Sequence, residues 1–230
     1  YGCQDNLTIA ACMDAEKGFL KIPETVPRIF VDFPLIGAEK FPFPAVLNSR
    51  EFKTNEPRSG ITLVDNENSK DALANKAVMQ RAVCLYGQFV HEMAHSGCQG
   101  LEHLVSIPAW RPDKEMSESW VKTHLYEAVY EIVSHEPLIQ TSSGPVSLET
   151  DGMWLVSAPT QKEREGVKKL LSALKGCLTP EGDDGWLEAF AGYEQHKKKV
   201  KQLKDLLEQA QTLLSGSLDE TRMPAMDWCR

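Results

Sequence analysis

The sequence predicts an α+β fold: a strand-rich N-terminal part, then helices, a small β unit and a helical C-terminal part. Three observations predict it. Residues 1–65 hold short apolar runs punctuated by prolines 34, 42, 44 and 57, which suit strand ends and turns. From Lys70 to about His95 apolar residues recur at 73, 77, 78, 82, 85, 86, 89, 90 and 93, the stripe of an amphipathic helix. Residues 135–160 then return to short apolar runs around a Ser-Gly turn, before helical spacing resumes.

In chain order, the expected strands are Asn6–Met13, Arg28–Phe33, Pro44–Asn48 and Gly60–Val64, with Lys17–Pro27 as a loop. The polar run Asp65–Ser69 caps the long helix, and Gly97 and Gly100 stop it. A short helix at Gly100–Ile107 must end by Pro108. Ser117 caps a helix through Ser134 that carries Trp120, Leu125, Val129, Ile132 and Val133. Pro137–Thr141 and Val146–Glu149 make a hairpin-like unit, and Met153–Val156 adds a strand. Gln161–Leu174 is one helix, Asp184–Leu214 holds one or two more, separated near Gly192, and Lys197-Lys198-Lys199 reads as a solvated face. This gives four parts: 1–66, 67–134, 135–160 and 161–230.

The 230 residues carry 25 Lys+Arg against 33 Asp+Glu, a net charge of −8. That balance does not indicate nucleic-acid binding, which draws its affinity from cations on phosphates. No apolar run approaches the ~20 residues that span a bilayer, so no membrane partner is expected. Six cysteines at 3, 12, 84, 98, 177 and 229 form no CxxC pair. They read as buried free thiols in a reducing, cytoplasmic setting. The start at Tyr1, without a leader-like segment, and the end at Arg230 lead to the expectation of an internal piece of a longer polypeptide.

The sharpest short motif is His91-Glu92-Met93-Ala94-His95. On a helix, His at i and i+4 share a face and can both ligate zinc, with the intervening Glu as general base. A catalytic zinc needs a third protein ligand, and Glu115 or Glu118 is the expected one. The metzincin extension is excluded, because Cys98 and Leu101 stand where Gly and His are required. The alternative is that both histidines sit on the polar face of an amphipathic helix.

A longer stretch, Ile22–Leu63, contains the blocks RIFVDFPLIG, FPFPAVLNS and EPRSGITL. With HEPLIQTSSGPVSLETDG further on, these blocks resemble a segment of the large bacterial sacsin-like ATP-binding proteins. Those proteins carry a histidine-kinase/heat-shock-90-type (GHKL) ATPase domain. The resemblance covers most of the chain, most closely at 22–63 and 135–159. It implies a strand-rich middle or transducer domain lying downstream of the ATPase domain. No metal role is known in that family for the helix that corresponds to His91–His95.

The nucleotide motifs of that superfold are an Asn-bearing helix, an Asp-x-Gly segment and glycine-rich lid loops. Asp151-Gly152 and Gly182–Gly185 do not stand in such a context. The resemblance therefore implies no cofactor in this segment and Mg-ATP in the parent protein. The implied partner is the ATPase domain of the same chain, with a client protein or a second copy as further partners. In related ATPases a basic residue of the second domain reaches the γ-phosphate. By position that residue is Arg58 in Glu56-Pro57-Arg58-Ser59-Gly60, with Lys40 and Arg50 as second choices. Against this, Arg58 reads as a surface turn residue pairing with Glu56.

Overall fold

The computed structural model describes residues 2–4, 6–112, 114–173, 176–181 and 185–208. Seven short strands fill the first fifty residues. They are β1 (Gly2–Gln4), β2 (Leu7–Ala10), β3 (Cys12–Asp14), β4 (Gly18–Leu20), β5 (Ile29–Val31), β6 (Phe33–Pro34) and β7 (Val46–Ser49). Five of them form one sheet in the order β1-β2-β7-β5-β6. All neighbours are antiparallel except β5 and β7, which run parallel. The register sets Ile9 beside Leu47 and Leu47 beside Ile29. All three are fully buried, and each such side chain contributes roughly 2 kcal/mol by leaving water.

The helix α1 (Lys70–Ala94) lies against β1 and β2. Ser69 caps it, its hydroxyl accepting from Ala72 N at 3.3 Å. Val78, Met79, Ala82, Leu85, Tyr86, Phe89 and Val90 supply its buried stripe. Leu73 and Ala77, expected on that stripe, are exposed, and Asn75 takes a buried place between them. The Asn75 carboxamide accepts from Lys53 N at 2.7 Å and donates to Lys53 O at 2.8 Å and Thr62 O at 3.1 Å. It thus ties the loop after β7 to the helix.

A short α2 (Glu102–Val105) follows. Then α3 (Glu118–Val121) runs through a π-helical segment, Lys122–Glu127, into α4 (Ala128–His135). The buried residues Val121, Leu125, Val129 and Val133 repeat every fourth position. That spacing outruns 3.6 residues per turn, and the wider π turn resets the phase so that all four stay inward. Ser117 caps α3, as expected, by accepting from Trp120 N.

The small β unit is the hairpin β8 (Ile139–Thr141) and β9 (Gly144–Val146). Next come β10 (Leu155–Val156), α5 (Gln161–Ala173) and α6 (Gly185–Phe190), then a 3₁₀ turn at Glu194–Lys199 and β11 (Val200–Lys201), which pairs parallel with β10. Residues 203–208 are helical. The main core runs from Leu7 to Tyr193, so the parts share it. A second cluster joins Val156, Val167, Leu171 and Leu206. The fold is α+β, and no described helix is long and apolar enough to cross a membrane.

Several expected elements are corrected. Asn6–Met13 is two strands, broken at Ala11, and Lys17–Pro27 is no mere loop, because β4 lies in it and pairs with β3. Gly60–Val64 forms no strand; Ile61 and Leu63 make only isolated bridges to Thr54 and Met116. The break expected near Gly192 is present, but the chain after it is a 3₁₀ turn and β11 before helix resumes at 203. Gly192 and Tyr193, whose side chain packs into the aromatic cluster with Tyr130 and Phe190, separate α6 from the 3₁₀ turn. Asp184 and residues 209–214 lie outside the described residues. The free thiols are not uniformly buried: Cys12, Cys98 and Cys177 are half-buried and Cys84 is exposed. The Cys3 side chain and Cys229 lie outside the described set. Lys197 and Lys198 are solvated, whereas Lys199 reaches Glu149 at 3.5 Å.

Candidate functional sites: a cationic cleft and a histidine pair

The turn Asn55–Gly60 is built by one side chain. Asn55 Oδ1 accepts from Ser59 N and Gly60 N, both at 3.0 Å, and Asn55 N donates to Gly60 O. This holds Arg58 at the turn with φ of 67°. Arg58 is exposed, and its guanidinium has no ion-pair or hydrogen-bond partner among the described residues, Glu56 included.

Beside the turn opens a cleft of about 690 Å³ between the loops 37–41, 55–61 and 109–116. Gly37 lets two of these loops meet: its φ is 118°, and a Cβ there would lie 2.9 Å from Ser59 O. Lys40, Arg111 and Lys114 line the cleft, against Glu56 and Glu115. The Trp110 indole Nε1, also on the lining, is buried without an acceptor. Lys40 has no ion-pair partner among the described residues; it lines the cleft together with Asn55, Pro57, Ser59 and Gly60 of the turn, whereas Arg58 itself is not on the lining. Arg50 differs. Its Nε donates to Asp32 at 2.8 Å, and that hydrogen bond, with the carboxylate charge, raises its pKa. Trp110, Arg111 and Lys114 were not legible as part of this site, because nothing local to 109–116 says which loop it faces.

The histidine pair lies elsewhere. His91 is on the last turn of α1 and His95 is its C-cap, with ring centroids 4.6 Å apart. His95 Nδ1 donates to the carbonyl of His91 at 2.8 Å, leaving its Nε2 with the lone pair. The third group beside them is Glu136, the residue after α4, with both carboxylate oxygens 3.1 Å from His91 Nδ1. One ligand atom from each of the three falls within 4.8 Å of the others. His91 is 64% exposed, and Glu92 is exposed.

Glu115 and Glu118 are not there, which corrects the expected ligand set. The Glu115 carbonyl accepts from Leu63 N, and its carboxylate accepts from Thr62 at 2.9 Å. Glu118 follows Ser117, whose hydroxyl donates to Asp65. Asp65 in turn holds Lys76 on α1 at 2.8 Å. The Lys76 ammonium, and next the Ser117 hydroxyl, lower the Asp65 carboxyl to about 2. His91 lies fifteen residues further along α1 than Lys76, about 22 Å at the helical rise. No local pattern marks Glu136 as the neighbour, since only the packing of α4 on α1 brings it there.

No family model, curated protein or solved structure matches the chain. The functional reading therefore rests on these two sites and on the resemblance of residues 22–63.

Proposed function

We propose that this chain is the non-catalytic middle, or transducer, segment of a multidomain heat-shock-90-like ATPase. Its cleft at the Arg58 turn faces the terminal phosphate of Mg-ATP held by an ATPase domain of the same polypeptide. The observation that carries this reading is the exposed Arg58 guanidinium, without an ion pair among the described residues, beside a cleft lined by Lys40, Arg111 and Lys114. A cation without an internal partner breaks no ion pair when it turns toward a developing phosphate charge. The fixed Asn55 turn carries that contact into the sheet through the loop tied by Asn75.

The coding sequence upstream of Tyr1 should encode an ATPase domain with an Asn-bearing helix and an Asp-x-Gly segment. In that polypeptide, Arg58→Ala should lower ATP turnover about tenfold or more, the scale of a lost transition-state cation. Lys40→Ala should cost less, and Arg50→Ala least, because Arg50 already serves Asp32. The melting temperature should not move, since an exposed turn side chain adds little to stability. Parental turnover in Arg58→Ala would remove the phosphate contact, and an unrelated upstream domain would remove the family reading.

The second reading is a zinc metallopeptidase with His91 and His95 as ligands and Glu92 as base. Glu136 is the observation that favours it, since two His and one Glu make a known catalytic zinc set. The transducer reading expects zinc far below one per chain after purification without chelators. Elemental analysis giving a ratio near one, lost in both His91→Ala and Glu136→Gln, would establish the metal centre in its place.

A further inference from the structure

Arg28 precedes β5 and is only 6% exposed. Its backbone is held on both sides: its N–H donates to Ala38 O at 2.9 Å, and its carbonyl accepts from Leu47 N at 2.8 Å. The side chain therefore goes where the sheet sends it. Its Nε and Nη1 are buried with no hydrogen-bond partner, and no ion pair involves Arg28 among the described residues. Burial, with no counter-charge, lowers its pKa to about 10. Buried charges are ordinarily paired and hydrogen-bonded, because desolvation is otherwise uncompensated.

Arg28 is among the residues that line a cavity of about 470 Å³ where the sheet meets α2 and α6, and of its guanidinium nitrogens Nη2 alone is not sealed off. That size suits a small organic molecule. Ile22, Pro44, Ile107, Pro108 and Ala191 form apolar wall. The other charged groups on the lining are differently placed. Lys21 pairs with Glu188 at 3.2 Å, Glu39 accepts from Gly37 N, and His103 stands 3.8 Å from Glu102. Glu24 and Lys40 are exposed. Arg28 is thus the deep cation of a site whose lining also carries three carboxylates, Glu24, Glu39 and Glu188.

We propose that this cavity binds a small organic monocarboxylate, its carboxylate on the Arg28 guanidinium and its hydrocarbon body on the Ile22, Pro44 and Ile107 wall. A single buried cation matches a single negative charge, and Lys21 and Lys40 offset only two of the three lining carboxylates, so the wall adds no further positive charge for a multiply charged phosphate. The apolar wall needs a ligand with a body, which inorganic anions lack. The site is separate from the Arg58 cleft, although Lys40 borders both.

Calorimetric titration of the purified chain tests this with hexanoate, with hexanamide as its neutral counterpart and with inorganic phosphate. Hexanoate should bind, and hexanamide and phosphate should each bind at least about tenfold more weakly, as a charge-assisted hydrogen bond requires. Arg28→Met should lose hexanoate binding by the same factor. Its ligand-free melting temperature should hold or rise, because an uncompensated buried charge is gone. Should Arg28→Met not fold, Arg28→Lys carries that arm, with weaker hexanoate binding expected from a point charge. The proposal falls if hexanamide or phosphate binds as well as hexanoate, or if the Arg28 variant binds hexanoate undiminished.

Discussion

Asn75→Ala is expected to destabilise the fold by about 3–5 kcal/mol, the range of a broken buried polar network. The carboxamide closes three hydrogen bonds to the loop after β7, and the residue is fully buried. Each bond contributes about 1 kcal/mol net, but the larger cost lies in what remains. Lys53 N, Lys53 O and Thr62 O would be left facing a small cavity. Urea denaturation followed by circular dichroism gives the number directly. Asn75→Asp should be comparably damaging, since a carboxylate has no N–H for the two carbonyls. A loss under about 1 kcal/mol would mean that water replaces the carboxamide and that the loop is not held by this residue.

Gly152→Ala is the second large effect, expected at about 3 kcal/mol or more. Gly152 has φ of 78°, and a Cβ there would fall 1.7 Å from Gly176 O. Backbone, not a flexible side chain, occupies that space. The close approach exists because the two segments pair. Leu178 N donates to Gly152 O at 2.7 Å, and Trp154 N donates to Leu178 O at 2.9 Å. The damage should therefore be regional. Hydrogen exchange should accelerate first at Trp154 and Leu178, and then along β10, before the five-stranded sheet responds. Uniform acceleration across the chain, or none, would show that this pairing does not hold the region as described.

How much was legible follows from how local each cause is. The stripe of α1 from Val78 onward and the Ser69 and Ser117 caps are set by neighbours in the chain and stand as read, whereas Leu73 and Ala77 fall outside the stripe and the hairpin's second arm is Gly144–Val146 rather than Val146–Glu149. Asn75 was invisible because a buried amide is specified by the loop opposite it. The strands were legible as apolar runs, but their pairing was not: runs of two to four residues carry too little alternation to fix a register. The sites divide the same way. The His91–His95 pair follows from helical spacing and the turn at Arg58 from its Pro-Arg-Ser-Gly chemistry, while the role given to Arg58 comes only from the resemblance. Glu136, Trp110 and Arg28 depend on which segments the fold brings together, and a lone Arg before a strand gives no sign of its burial.

The position of β7 has a consequence for the order in which the domain can assemble. β7 is the last of the five strands to be synthesised, yet it is the middle one, between β2 and β5. The pair β1 and β2 and the pair β5 and β6 can each form early as local hairpins, but neither has a stable neighbour alone. Both wait for Val46–Ser49 to insert between them. That step closes two loops at once, one of them through a parallel pairing, and its entropy is lost before the Ile9, Leu47 and Ile29 side chains meet. A nascent chain that has not yet exposed residue 49 thus has the β1–β2 and β5–β6 hairpins, beside the separate β3–β4 hairpin, and no five-stranded sheet, and strand insertion is the step that should govern its folding rate.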